Sequence, residues 1–303
     1  MKKLRKLSEK PIIGPVVKKL MDFLVNREVS SIAKHFSTYL EPVVAISPEK
    51  KTEVFTIRHN VYCEELKFED ENEAKQEMDD FDKFSIHCLI QHKNTERFAG
   101  TVRIVRPEKD DEMLPIEKYC LNSITNKELN PSQFPRNQVC EISRLAVPAE
   151  FRRRQADKFK GAETGVINTT TYSETELRCF PFIAIGLYLS AASIVILNDI
   201  KHTYVMMEPR LARSMRFVGI QFEQIGPVVD YHGMRAPYYI NPKLLLKNLS
   251  PGFKYMLQGI EEALQDQYGE IEKEAYLAQR IENIIQQYFP KYLDHIKKEF
   301  RYV

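Results

Sequence analysis

At 303 residues, with 43% apolar and 28% charged side chains, the chain carries enough apolar material for one large core or two modest ones, in ordinary globular proportions. A formal net charge of +2 excludes a chain that is basic throughout, so any anion-binding role has to be local and nucleic-acid binding is not expected. Five cysteines without a CxxC pair speak against a disulfide framework and against a metal site, and point to a reducing cytoplasm.

Residues 1–40 alternate basic positions with Leu4, Leu7, Ile12, Val16, Val17, Leu20, Phe23 and Leu24. That pattern is an amphipathic helical segment, which either caps its own domain or makes peripheral contact with an anionic inner-membrane surface. It lacks an apolar run of signal-peptide length, so a cytoplasmic location is expected. Val54–Leu66 follows with Phe55, Arg58, Tyr62 and Leu66 at helical intervals, placing an arginine between aromatics on one face. The acidic run Glu64–Asp82 reads as a solvated loop until its end, Asp79-Asp80-Phe81-Asp82, which abuts a strand at Ser85–Gln91. Phe98–Arg106 is a second strand, with Thr101, Arg103 and Val105 on one face and Val102 and Ile104 on the other.

The central strand, Gln138–Val147, is apolar on both faces and interrupted by Glu141 and Arg144. A charge inside such a strand costs on the order of several kcal/mol unless it is paired or lines a cavity. Positions three apart face opposite sides of a regular strand, so these two meet only across a bulge. After Pro148, Arg152, Arg153 and Arg154 bring three guanidinium groups to the strand mouth, a candidate anion site. Gln155–Glu176 reads as a long polar loop of the kind that serves as a lid. Phe180–Leu197 is eighteen residues without a charge, at the lower limit for a membrane span. Pro181, Gly186, Ser190 and Ser193 instead favour a helix buried in a core.

Lys201–Met207 is another strand. Glu208-Pro209 opens a short helix, Arg210–Val218, that Gly219 ends. Ile220–Ile240 holds two strand-like runs, and Pro251–Val303 is helical with a break at Pro290. The alternation describes an α/β or α+β chain, a mixed sheet with helices on both faces. Three segments are expected: residues 1–45, helical; 46–248, the main domain; and 249–303, a helical extension. His87 and His232 have no metal-ligand spacing around them and are expected to be structural.

In chain order, Arg58, Tyr62 and Phe68, then Asp79 and Asp82, then Arg103, then Glu141 and Arg144 resemble the signature of bacterial acyl-homoserine-lactone synthases within the GNAT-like N-acyltransferase fold. The segments EISRLAVPAEFRRR, MEPRLARSMRFVGIQFEQIGP and VDYHGMRAPYYI are more similar to long-chain N-acyl amino acid synthase-like acyltransferases that accompany PEP-CTERM/exosortase systems. The resemblance spans residues 50–245 and implies a GNAT-like mixed sheet.

It further implies transfer of a medium- or long-chain acyl group from acyl carrier protein or coenzyme A to the α-amine of an amino acid. The phosphopantetheine-bound acyl group is a co-substrate and no cofactor is tightly bound. The implied catalytic set is Glu141, Arg144 and Arg103, with Glu141 taking the ammonium proton and Arg144 holding it in place. Arg58, Tyr62, Phe68, Asp79 and Asp82 would bind the acceptor, though Tyr62 and Phe68 equally suit core packing. Backbone N–H groups at Leu145, Ala146 and Val147 would face the oxyanion, and Arg152, Arg153 and Arg154 the donor phosphate and an acidic carrier.

Phe68 stands where the lactone synthases usually carry tryptophan, which argues against S-adenosylmethionine as acceptor. Met215 stands where many GNAT enzymes carry a tyrosine acid, but a thiolate of pKa about 8.5 leaves tolerably without one. Two alternatives stand beside this: a non-catalytic acyl-carrier or lipid-binding module linked to surface-protein export, which Met215 favours, and an acyl-homoserine-lactone synthase-like signal synthase.

Overall fold

The protein was analysed as a computed structural model that describes residues 33–34, 36–152, 182–216 and 218–288. Its strands are β1 (Leu40–Val44), β2 (Ser85–His92), β3 (Phe98–Val105), β4 (Val139–Ala146), β5 (His202–Met207), β6 (Glu223–Gln224), β7 (Val229–Asp230) and β8 (Met234–Ile240). They lie in the order β1-β2-β3-β4-β5-β8-β6, with β7 paired to β8 off this path. The β4–β5 pair is parallel and the others are antiparallel. The mixed sheet and flanking helices are the expected GNAT-like architecture.

The first helix, α1 (Pro48–Arg58), starts where Ser47 caps the backbone N–H of Lys50 and Pro48 occupies the first turn. The helix does not continue unchanged to Leu66 as expected. From His59 to Glu65 it widens into a π-helical turn, which resets the faces set by regular helical spacing. Arg58 therefore lies over Phe55, 5.4 Å from the ring centroid, and Tyr62 lies instead beneath Arg144, also at 5.4 Å. Arg58 is fully buried, while Phe68 is exposed.

The uncharged helix α4 (Ile183–Leu197) follows α2 (Pro115–Cys120) and the single turn α3 (Ala149–Arg152). Ile183, Leu187, Ala191 and Ile194 are fully buried against Val102, Ile104 and Ile142 of the sheet, as a core helix requires. Among the described residues no helix is long and apolar enough to cross a membrane. The short helix α5 (Pro209–Met215) precedes Gly219, whose φ of +94° supplies the left-handed turn expected there.

After α6 (Pro242–Asn248) comes α7 (Pro251–Tyr288). Phe253, Met256, Leu257, Ile260 and Leu264 of α7 enter the same core as α4, so the C-terminal segment shares its apolar interior with the main domain. The sheet's other face is covered by α1, through Val54 and Ile57, and by a second cluster containing Phe81, Ile116, Tyr204 and Tyr239. Of the segment expected to be helical to residue 45, Leu40–Val44 is instead β1, the edge strand paired to β2. Residues up to 32 of that segment, the expected lid with Arg153 and Arg154, and the helical break at Pro290 lie outside the described residues.

Two irregularities open the sheet. β4 pairs with β5 at Val139↔His202, Cys140↔Thr203 and Glu141↔Tyr204, and beyond these the two strands separate. On the other side, Arg103 faces Ser143 and Thr101 faces Ala146, so Arg144 and Leu145 oppose the single residue Val102. Arg144 has φ +48°, which completes a bulge on the strand where one was expected. Close approach of β3 at this place needs glycine, since a Cβ on Gly100 would stand 2.8 Å from the Ala146 carbonyl oxygen.

Candidate active site

Where β4 and β5 part, a cavity of about 680 Å3 opens. Its walls include Glu141, Ser143, Arg144 and Leu145 of β4, Val205–Met207 of β5, Arg103 of β3, and Tyr62, Phe68, Glu69, Glu77 and Asp79 of the connection after α1. Of the expected acceptor residues, Tyr62, Phe68 and Asp79 line this space, whereas Arg58 and Asp82 lie behind it in the wall. Of the three expected oxyanion donors, Leu145 lines it, while Ala146 and Val147 are packed in the core.

Glu141 is 2% exposed, and one carboxylate oxygen accepts the Ile116 backbone N–H at 2.7 Å, at the first turn of α2. Burial pushes its carboxyl up to about 8, outweighing the Ile116 bond and the attraction of Arg103. A carboxylate with its value there is a much stronger proton acceptor than a solvated one, and it acts as a general base in its ionised fraction, which grows as pH rises toward 8.

Arg144 does not hold Glu141, contrary to expectation. Its Nε donates to Glu77 at 3.1 Å and its terminal nitrogen to Glu69 at 2.9 Å, with Asp79 at 3.5 Å. The bulge explains the difference: the left-handed residue turns the guanidinium toward the acidic connection, and Glu141 is satisfied from α2 instead.

The remaining charges form one network. Arg58 donates to Glu77 at 2.5 Å and to both oxygens of Asp82 at 2.6 and 3.2 Å. Arg103 donates to Asp79 at 2.5 Å, to Asp82 at 2.9 Å and to the Ser143 hydroxyl at 3.0 Å. Burial alone would raise the Asp82 carboxyl, but its bonds to Arg58 and the nearby Arg103 charge bring it down to about 2. His87 packs edge-on against Phe55, 3.6 Å from Asp82, and burial lowers it to about 4 against the pull of that carboxylate.

Sequence reasoning missed Glu77, which the structure buries to 6% exposure rather than leaving it in a solvated loop. Its backbone N–H bonds the Phe55 carbonyl at 3.1 Å, and its carboxylate bridges Arg58 to Arg144. The only signal was a count: the three arginines Arg58, Arg103 and Arg144 outnumber Asp79 and Asp82, which does not single out Glu77 among the acids of that run.

Tyr62 joins the site through its hydroxyl, which donates to the Leu145 carbonyl at 2.9 Å and so ties the π-helical turn to the bulge. Tyr231 and His232, presented by the turn between β7 and β8, also line the cavity. His232 was expected to be structural only. Met215 sits in the core, 4% exposed, away from the cavity lining. Arg152 is not an open anion site: it forms an ion pair with Glu65, whose other oxygen accepts the Ala149 N–H at 3.0 Å.

Among curated proteins none matches this chain in sequence. The fold aligns with the AHL synthase LasI at 14% identity and a TM-score of 0.47, covering 70% of this chain and 96% of that one. It aligns with FeeM, an N-acyl amino acid synthase from uncultured soil microbes, at 12% identity and a TM-score of 0.46, covering 69% and 94%. A CoA-dependent acyl-homoserine lactone synthase, BjaI, with SAM and isopentyl-CoA bound, aligns at 14% identity and a TM-score of 0.47, covering 69% and 86%. Residues 57–160, which run from α1 through the bulged β4, match the acetyltransferase (GNAT) domain, and with the open mixed sheet around them they mark the chain as an N-acyltransferase of GNAT-like fold.

Proposed function

We propose that this protein moves a medium- or long-chain acyl group from a phosphopantetheine thioester, on acyl carrier protein or coenzyme A, to the α-amine of an amino acid. The catalytic unit is residues 46–248, with 249–303 as an extension whose Phe253, Met256, Leu257, Ile260 and Leu264 share its core. The observation that carries the reading is a buried carboxyl, Glu141, raised to about 8, on the same cavity wall as the β4 bulge. The sequence resemblance to N-acyl amino acid synthase-like enzymes supports the choice of acceptor.

The neutral amine attacks the thioester carbonyl, forming the C–N bond. The developing oxyanion faces a backbone N–H freed from the ladder at Arg144–Leu145. Glu141 takes the ammonium proton directly or through water, the C–S bond breaks, and the released thiolate is protonated to the thiol. Arg103 and Arg144 hold the wall in place through Asp79, Glu69 and Glu77. With Arg152 engaged by Glu65, the sequence leaves Arg153 and Arg154 to meet the donor phosphate and an acidic carrier surface.

The direct test supplies a long-chain acyl-CoA or acyl carrier protein with a panel of amino acids and follows thiol release and amide mass. New N-acyl amino acids should appear, and Glu141→Gln should lower turnover by about a hundredfold to ten-thousandfold while donor binding is kept. Donor binding without any amide product would defeat the reading.

A further inference from the structure

The cavity wall carries three arginines, and two are saturated. Arg103 has Asp79, Asp82 and Ser143 as partners, and Arg144 has Glu69, Glu77 and Asp79. The third, Arg235 of β8, is half-buried and forms no ion pair with any of the described residues; its guanidinium lies over the Phe68 ring at 6.0 Å. Its charge acts on Tyr62 and Tyr188, which line the cavity, and on Cys120, which also feels Glu141. On β8, Tyr239 packs in the cluster with Tyr204 and Phe81, and alternation puts Arg235 on that face, the face from which Glu141 also projects. A half-buried guanidinium without a carboxylate is a poor structural element and a good receptor for one, because its fork matches a carboxylate with two parallel hydrogen bonds.

We infer that Arg235 anchors the α-carboxylate of the acceptor, so that the enzyme selects amines bearing a neighbouring carboxylate over the same amines without it. The inference rests on the acyltransfer reading above and adds the group that recognises the acceptor. Phe68 gives the guanidinium a flat ring to stack on, which limits its rotamers and leaves the fork edge free. Glu208, which follows β5 directly, lines the same cavity but is exposed and makes no ion pair with Arg235, so the anchor is not already occupied.

The test compares leucine with isopentylamine and phenylalanine with phenethylamine, pairs that differ only in the carboxylate, using one long-chain acyl-CoA. In the wild type the amino acids should have KM values about tenfold to a hundredfold below their amines, the effect of one charge-assisted pair. Arg235→Met should raise KM for the amino acids by that factor, with kcat and the amine kinetics little changed, and Arg235→Lys should restore part of it. Glu208→Gln should leave the amino-acid preference in place. Equal use of both members of each pair by the wild type, or an equal loss on both in Arg235→Met, would overturn the anchor while leaving acyl transfer standing. No amide from any of the four would instead remove the acyltransfer reading and the anchor together.

Discussion

Glu141 makes two opposite demands on the protein. Buried beneath α2, it is easier to keep protonated than ionised, and its folded value of about 8 stands far above the usual 4.5. As a base it must be ionised, so kcat/KM should rise with pH and level off above about 8, provided the amine is held neutral; an inflection near 4.5 would show a solvated carboxylate instead. The stability consequence has the reverse sign. The folded chain binds more protons here than the unfolded one between 4.5 and 8, so stability falls as pH rises through that window. Denaturant melts of the wild type and Glu141→Gln at pH 5 and pH 9 should show the mutant losing less stability across the interval.

At the level of elements, the connection from α1 to β2 does more than join them. Glu77 reaches down into it to hold Arg58 from α1 and Arg144 from the β4 bulge, two elements that otherwise meet through the Tyr62 hydroxyl and apolar packing. Removing the charge leaves two guanidinium groups short of a partner inside the protein. Glu77→Gln is expected to cost about 3–5 kcal/mol and to lower activity through a displaced Arg144. Chemical denaturation with a tryptophan-free readout such as far-UV circular dichroism checks this; a loss under about 1 kcal/mol, the size of an exposed pair, would mean the network relaxes freely.

For the whole molecule, the charges under the sheet set how it meets acid. His87 is neutral when folded, with a value near 4 against its usual 6.5, so the unfolded chain binds the extra proton and stability falls as pH drops from 6.5 to 4. Asp82, held near 2 against 3.8, adds a second loss as pH falls through that lower window. Glu141 acts in the opposite direction between 8 and 4.5, so the His87 contribution is read as a difference: the melting temperature of the wild type minus that of His87→Gln should fall as pH drops from 6.5 to 4, while the lower loss from Asp82 remains in both proteins. An unchanged profile in His87→Gln would show that His87 finds a proton acceptor when charged.

By itself the sequence determined the strands β2 to β5 in order, the buried character of Ile183–Leu197, a bulge on the charged central strand, and the left-handed Gly219, while β1 fell in a stretch read as helical. Each rests on local chemistry: alternation, an uncharged run, two charges three apart on a buried strand, and a glycine after a helix. The tertiary structure alone decided which charges meet. Glu77 looked like one more acid in a polar stretch, and its burial depends on a backbone bond to Phe55 that no local pattern announces. The widened turn after Arg58 moved Tyr62 to the bulge, because the register of a π-helical turn follows from what it packs on. Arg235 carried no signal in the sequence, since whether an arginine has a partner depends on every element that folds against it.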